Sequence, residues 1–262
     1  VISLAGAIRA ALLTSNPREK VMRTRALVRD WRHGRLAFVF DAVMPDEPGR
    51  PAQPVLLPPG QMPKRRKGGS ERGRQALWHS LAHIEFVAID LALDMAGRFG
   101  AEMGRQFVSD FLAVAADEAM HFALIERHLT SMGSRYGALP AHAGLWEAAA
   151  LTAHDVAARL AVVPMVLEAR GLDVTPPTLE RVRASGDERG AKILSRILDD
   201  EIVHVRFGSK HFIALALARG DSPESYWKSL VASHFHGSVK PPFNDSARLQ
   251  AGLPRSFYAG VE

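Results

Sequence analysis

Two Glu-x-x-His pairs, Glu118/His121 and Glu201/His204, carry the strongest chemical signal in the chain. Each follows a lone Glu in an apolar stretch at the same distance: Glu85 lies 33 residues before Glu118, and Glu168 lies 33 residues before Glu201. Residues three apart share a helix face, so each Glu and His can reach one metal ion from the same side. Carboxylate oxygens with one imidazole per ion suit divalent iron or manganese. Two such ions repel and need bridging carboxylates to stay close. Glu118 and Glu201 would bridge, His121 and His204 would bind terminally, and Glu85 and Glu168 would be the terminal carboxylates. Four carboxylates and two imidazoles in a duplicated unit are the ligand inventory of a two-metal centre inside a four-helix bundle.

A single Glu-x-x-His would mean little, because chance produces one readily. The alternative is that these Glu residues lie on solvated faces and pair with Arg or Lys. Their neighbours argue otherwise. Phe111, Leu112 and Val114 precede Glu118, and Phe122, Leu124 and Ile125 follow His121. Ile193, Leu194, Ile197 and Leu198 precede Glu201, and Ile202, Val203 and Val205 surround His204. Charges in such company are rarely buried without a partner or a metal. Asp117 and Asp200 each stand directly before a ligand Glu. A metal-bound His usually donates its other ring proton to an oxygen behind it. Asp117 would serve His204 in this way, and Asp200 would serve His121. A surface salt bridge is the competing role for each Asp.

These residues and the text around them resemble a known group. The stretches 83–85, 115–122, 161–173 and 200–205, with the linker 58–65, are similar to the ferritin-like family called domain of unknown function 455. The resemblance extends over roughly residues 17–219. It implies an all-α, ferritin-like four-helix bundle and the same six ligands, and it supplies no reaction. At the level of motif alone, the pattern is also similar to di-iron oxidases and hydroxylases, including tRNA-modifying hydroxylases. Fold and ligand set do not fix a function.

The elements that must position these ligands can be read from periodicity and punctuation. Asn16-Pro17 is an N-cap with Pro at the first helical position, opening a helix that Gly34 ends. Residues 36–41 form a short apolar segment, and the Pro-dense stretch 45–63 reads as extended chain wrapped over the bundle. Four bundle helices are expected over 71–99, 102–132, 146–170 and 187–219, with turns near Gly100 and Gly186, an end at Gly171 and a shorter helical piece at 177–184. Pro164, four residues before Glu168, predicts a kink. A last helix over 223–235 leads into a tail. The expected organisation is an N-terminal region (1–70), a di-metal bundle (71–220) and a C-terminal extension (221–262).

Composition bounds the remainder. A hydrophobic content of 47% fits a soluble globular protein, and charge interrupts the apolar runs, so the expected location is cytoplasmic with no membrane partner. With no Cys there are no disulfides, thiolate ligands or iron–sulfur clusters in the chain, so a redox cycle needs an external electron donor. A formal net charge of +5 can favour anionic partners. The densest basic run, Lys64 to Lys67, lacks interleaved aromatics and reads first as a solvated or protein-contacting loop, with nucleic acid as the lesser alternative. His83 is two residues from Glu85 and off its helix face, so it is expected to stand behind the ligands or to pack rather than to bind metal directly. His128 and His211 would cap the bundle rather than form a second metal site. Tyr136, Tyr226 and Tyr258 lie outside the ligand segments, leaving no evident radical-forming Tyr.

The sequence-level reading is an oxidoreductase that activates dioxygen or peroxide at two metal ions, iron first, with manganese or a mixed Fe/Mn pair as alternatives. Its substrate would be an unidentified small molecule, and its state a monomer or dimer. The competing functions are iron handling (ferroxidase or storage) and an interaction protein with a metal site but no redox turnover.

Overall fold

The computed structural model describes residues 2–58, 61–62 and 70–261. The basic run Lys64 to Lys67 and part of the Pro-dense linker lie outside the described residues. The regular structure is almost wholly helical, so the all-α expectation holds at that level. Two-residue strands β1 (Ile2–Ser3) and β2 (Leu36–Ala37) pair in parallel. The chain divides into two compact units, Val1–Trp146 and Glu147–Glu262.

The first unit contains α1 (Leu4–Leu12), α2 (Pro17–Arg32) and α3 (Glu71–Ser131). Asn16 Oδ1 accepts from the Glu19 amide at 3.1 Å, which together with Pro17 starts α2 where the sequence signals it. The helix α3 is interrupted at Gly104 (φ 85°, ψ 179°), a conformation closed to most L-residues. His121 lies 3.2 Å from Glu85, yet 36 residues of straight helix would separate them by about 54 Å. The chain must therefore double back, and Gly104 is where it does so. The turn is expected near Gly100, and it falls one helical turn later, at Gly104, while Gly100 itself remains helical.

The described part of the Pro-dense segment is extended and held on this unit at several points. Arg98 Nη2 donates to the Pro45 carbonyl (3.0 Å) and Trp146 Nε1 to the Asp46 carbonyl (3.1 Å). Leu57 N donates to the Ala141 carbonyl at 2.8 Å. Beneath the segment, the fully buried Lys20 bonds the Leu12 and Gly49 carbonyls and forms an ion pair with Asp90. That pair ties α2 to α3. Burial pushes the Lys20 ammonium down and raises Asp90 to about 6, so each partner depends on the other to remain charged.

The second unit runs through α5 (Val156–Val162), a π-helical turn (Val163–Glu168), α6 (Ala169–Ala184), α7 (Glu188–Arg219), α8 (Pro223–His234), α9 (Asp245–Gln250) and α10 (Arg255–Tyr258). The short α4 (Gly144–Ala150) carries the division between units. The continuous helix expected over 146–170 is thus broken. Asp155 Oδ1 accepts from the Ala157 and Ala158 amides (2.6 and 3.0 Å) and caps a new helix. Nor does Gly171 end the helix. Leu172, Leu179 and Val182 are buried and α6 packs along α7, which outweighs the roughly 1 kcal/mol cost of an interior Gly. The separate piece expected at 177–184 is the end of α6. Gly186 (φ 81°) makes the turn into α7 as expected, and Gly220 (φ 79°) caps it.

Pro164 disturbs the helix where expected, as a widened π turn. Its missing N–H cannot serve the carbonyl four residues back, and the wider turn accommodates the ring. Gly208 of α7 faces it: a Cβ there would lie 2.4 Å from Pro164 Cβ. The tail is anchored to this unit by the buried Arg248, whose Nη2 and Nε bond the Asp173 carboxylate at 2.7 and 2.9 Å, and by Trp227 Nε1 on the Ala161 carbonyl at 3.2 Å.

The most apolar window of α3 is long enough to cross a membrane by composition, but 72% of it is buried inside the fold and Gly104 interrupts the helix. That pattern suits a core helix of a soluble protein.

Candidate metal centre

The two passes of α3 bring three of the expected ligands together. Glu85 sits on the first, and Glu118 and His121 sit on the second. Their ligand atoms lie within 4.8 Å of one another. His121 Nδ1 is 3.2 Å from a Glu85 oxygen and 3.4 Å from a Glu118 oxygen. Glu118 is 1% exposed and His121 0%. Such a group cannot carry two negative charges cheaply. Burial, and then the neighbouring Glu118 carboxylate, push Glu85 well above the ordinary carboxylate range; the bond from His121 only partly opposes this. A divalent cation among these oxygens and Nδ1 would offset both effects, and the donor set of two carboxylates and one imidazole suits iron or manganese.

The second unit carries the other Glu-x-x-His pair. Glu201 and His204 lie on α7, with His204 Nδ1 3.7 Å from a Glu201 oxygen. His204 is fully buried and Glu201 is 9% exposed. In both halves the imidazole turns Nδ1, not Nε2, toward the Glu of its own pair. Glu168, half-buried, closes the π turn, which packs against α7. The widened turn therefore sets the height and direction of this carboxylate. Gly208, one turn beyond His204, leaves room for the Pro164 ring that causes it.

Asp117 and Asp200 are both half-buried. Asp200 accepts from Arg196 Nε at 2.6 Å, the salt bridge that the sequence also allowed.

His83 has the packing role expected of it, in a specific form. Its Nε2 faces the His142 carbonyl at 3.0 Å, and a carbonyl can only accept, so Nε2 carries the proton. Nδ1 then accepts from the Tyr136 hydroxyl at 2.9 Å. Burial lowers His83 to about 4, which keeps the ring neutral, and burial also raises Tyr136. Tyr136 is the residue that sequence reasoning missed. Its ring packs on Phe86 and Phe122, the immediate successors of Glu85 and His121, with centroids 5.3 and 5.2 Å away. Nothing local signals this, because the link 134–145 folds back only in the tertiary structure. His128 is buried edge-on to Trp78 at 4.4 Å, consistent with a packing role.

The chain is 40% identical over 261 residues to an uncharacterised protein of Haemophilus influenzae, covering 94% of this chain and 89% of that one. No solved structure matches it. Residues 13–259 match the family described as a protein of unknown function, DUF455, and the chain belongs to that family.

Proposed function

We propose that the protein is a ferritin-like di-metal carboxylate oxidoreductase that activates dioxygen or peroxide for use on a small substrate. Each Glu-x-x-His pair, with its upstream Glu, would offer ligands to metal, iron first and manganese or a mixed Fe/Mn pair otherwise. The observation that carries this reading is the buried convergence of Glu85, Glu118 and His121, with the same Glu–Nδ1 pairing repeated at Glu201 and His204. A two-metal centre of this kind supplies electrons to oxygen in a pair.

The chain's own contribution is positional. Glu85, Glu118 and His121 are held by a helix reversed at Gly104, so their donor atoms are set before a metal arrives. Phe86, Phe122 and Tyr136 pack beside that half-site and exclude water from one flank. Asp117 and Asp200 are the candidates for holding the ring protons of the two His ligands.

The test is reconstitution without air. Ferrous iron should load at two ions per chain, and exposure to oxygen should then produce a charge-transfer absorption band and consume oxygen. Full loading with a flat spectrum and no oxygen consumption would remove the oxidoreductase reading and leave a metal-binding protein. Assembly into a large hollow oligomer that accumulates iron would favour storage instead.

A further inference from the structure

The helix α2 carries a feature with no part in the metal site. It exposes Arg18, Arg23, Arg25, Arg29 and Arg32. At 3.6 residues per turn, Arg18, Arg25, Arg29 and Arg32 fall within about 60° of one another, a single stripe about 21 Å long. Among the described residues Arg18, Arg25 and Arg32 make no ion pair, and Arg29 has only the half-buried Asp30 at 3.6 Å. The acidic residues of the helix, Glu19 and Asp30, lie off the stripe. The neighbouring face (Val21, Thr24, Leu27, Val28, Trp31) is buried in the first unit.

Each end of the stripe opens into a cleft. At the N-terminal end Arg18 and Met22 line a cleft of about 680 Å³ with Phe122, Glu126 and Tyr136. At the C-terminal end Arg32 lines one of about 300 Å³ with Trp31, Arg105 and Ser109. The exposed Arg105 lies across two rings, its guanidinium carbon 4.9 Å from the centroids of both Trp31 and Phe38. Trp31 is held by a bond from Nε1 to Ser109 Oγ at 3.0 Å. The first unit holds 19 Lys and Arg against 14 Asp and Glu, four of the 19 being Lys64 to Lys67, outside the described residues, and the second unit holds 14 against 14.

We infer that this face of α2 binds the phosphodiester backbone of a single-stranded nucleic acid, with the Arg stripe on the phosphates and the two end clefts receiving unstacked bases or sugars. Guanidinium groups match phosphate oxygens in pairs, and an Arg plane held on aromatic rings is a surface on which a base can stack. A lipid surface fits less well, because the apolar face a membrane-lying helix would insert is committed to the core. A duplex offers no unstacked bases for the clefts.

The test uses the full chain and fluorescence anisotropy with labelled 20-nucleotide single strands of RNA and of DNA, a DNA duplex of equal length, and phosphatidylserine vesicles, across a salt series. Binding to either single strand supports the inference, and the two strands identify the sugar. Changing Arg18, Arg25, Arg29 and Arg32 together to Ala should weaken binding at least tenfold. The slope of log affinity on log salt should fall by about 3, at roughly 0.7 for each phosphate no longer neutralised. Arg23→Ala, exposed but off the stripe, should change binding less than twofold. All five positions are exposed, so circular dichroism should show the fold intact. The inference is overturned by no binding to single strands at low salt, by an unchanged salt slope in the stripe variant, by an equal loss in Arg23→Ala, by tighter binding of the duplex, or by binding to vesicles alone.

Discussion

The two half-sites have the same residue types at the same spacing, yet the protein builds them differently. In the first, α3 folds back at Gly104, and His121 Nδ1 sits within 3.4 Å of two carboxylates. In the second, a π turn forced by Pro164 delivers Glu168, and His204 lies 3.7 Å from Glu201. Glu118 is 1% exposed where its counterpart Glu201 is 9% exposed, and Glu168 is half-buried. The first half is closed and already desolvated; the second is looser and stands beside a widened turn. A duplicated sequence therefore does not give two identical local geometries.

The most severe way to break this contrast is to loosen the first unit. Asp90→Ala would leave the Lys20 ammonium buried without its partner, and should lower stability by about 3–5 kcal/mol in denaturant unfolding. The double change Lys20→Met with Asp90→Leu should recover most of that loss, since apolar replacement of a buried pair is often neutral. Failure of the double variant to recover would show that the bonds from Lys20 to the Leu12 and Gly49 carbonyls, rather than the ion pair, hold α2 and the Pro-dense segment.

Metal titration sharpens the comparison next. Glu85→Ala should reduce affinity by more than the roughly 10–100-fold typical of partners behind a ligand, whereas Glu168→Ala should reduce it less. Equal losses would mean that the two halves are energetically equivalent despite their geometry.

Gly208→Ala tests the irregular turn. Its Cβ would collide with the rigid Pro164 ring, so it should cost about 1–3 kcal/mol in thermal unfolding and shift metal affinity through Glu168. A neutral result would show that the π turn can slide, and that the contact does not fix Glu168.

The smallest effect is a pH dependence of the first half-site. Glu85 holds its proton more tightly in the fold than in the unfolded chain. Above the ordinary carboxylate pKa, and up to the raised value, the folded apoprotein binds more protons than the unfolded chain. Its stability from this group is present at lower pH and is lost as pH rises through that window. A cation must displace this proton, so metal affinity should rise with pH over the same window, by up to about tenfold per unit, and metal loading should flatten the stability profile. Calorimetric titration across pH should detect the released proton. A pH-independent affinity would mean that Glu85 is already ionised without metal.

Much of this is legible in the chain alone. The caps at Asn16 and Gly220, the turn near Gly186 and the disturbance at Pro164 are local chemistry, where a donor, an absent N–H or an absent Cβ acts on its nearest neighbours. The misreadings fall where tertiary packing outweighs such signals. Gly171 does not stop α6, because that helix buries Leu172 and Leu179 against its surroundings. The continuous third helix does not form because Asp155 caps a new one. The stripe on α2 is present in the spacing of Arg18, Arg25, Arg29 and Arg32, but charge density along the chain peaks elsewhere, at Lys64 to Lys67. Only the folded structure, which buries the neighbouring helix face, shows that these four Arg share an exposed surface.

By itself the sequence determined the ligand types, their helical phase and their 33-residue repeat, because three-residue spacing on a helix fixes which side chains share a face. Only the tertiary structure decided where the first helix reverses, that Tyr136 returns to pack behind Glu85 and His121, and that one Glu–His pair is tighter than the other. Those outcomes depend on contacts between residues far apart in the chain, whose desolvation and packing no local pattern encodes.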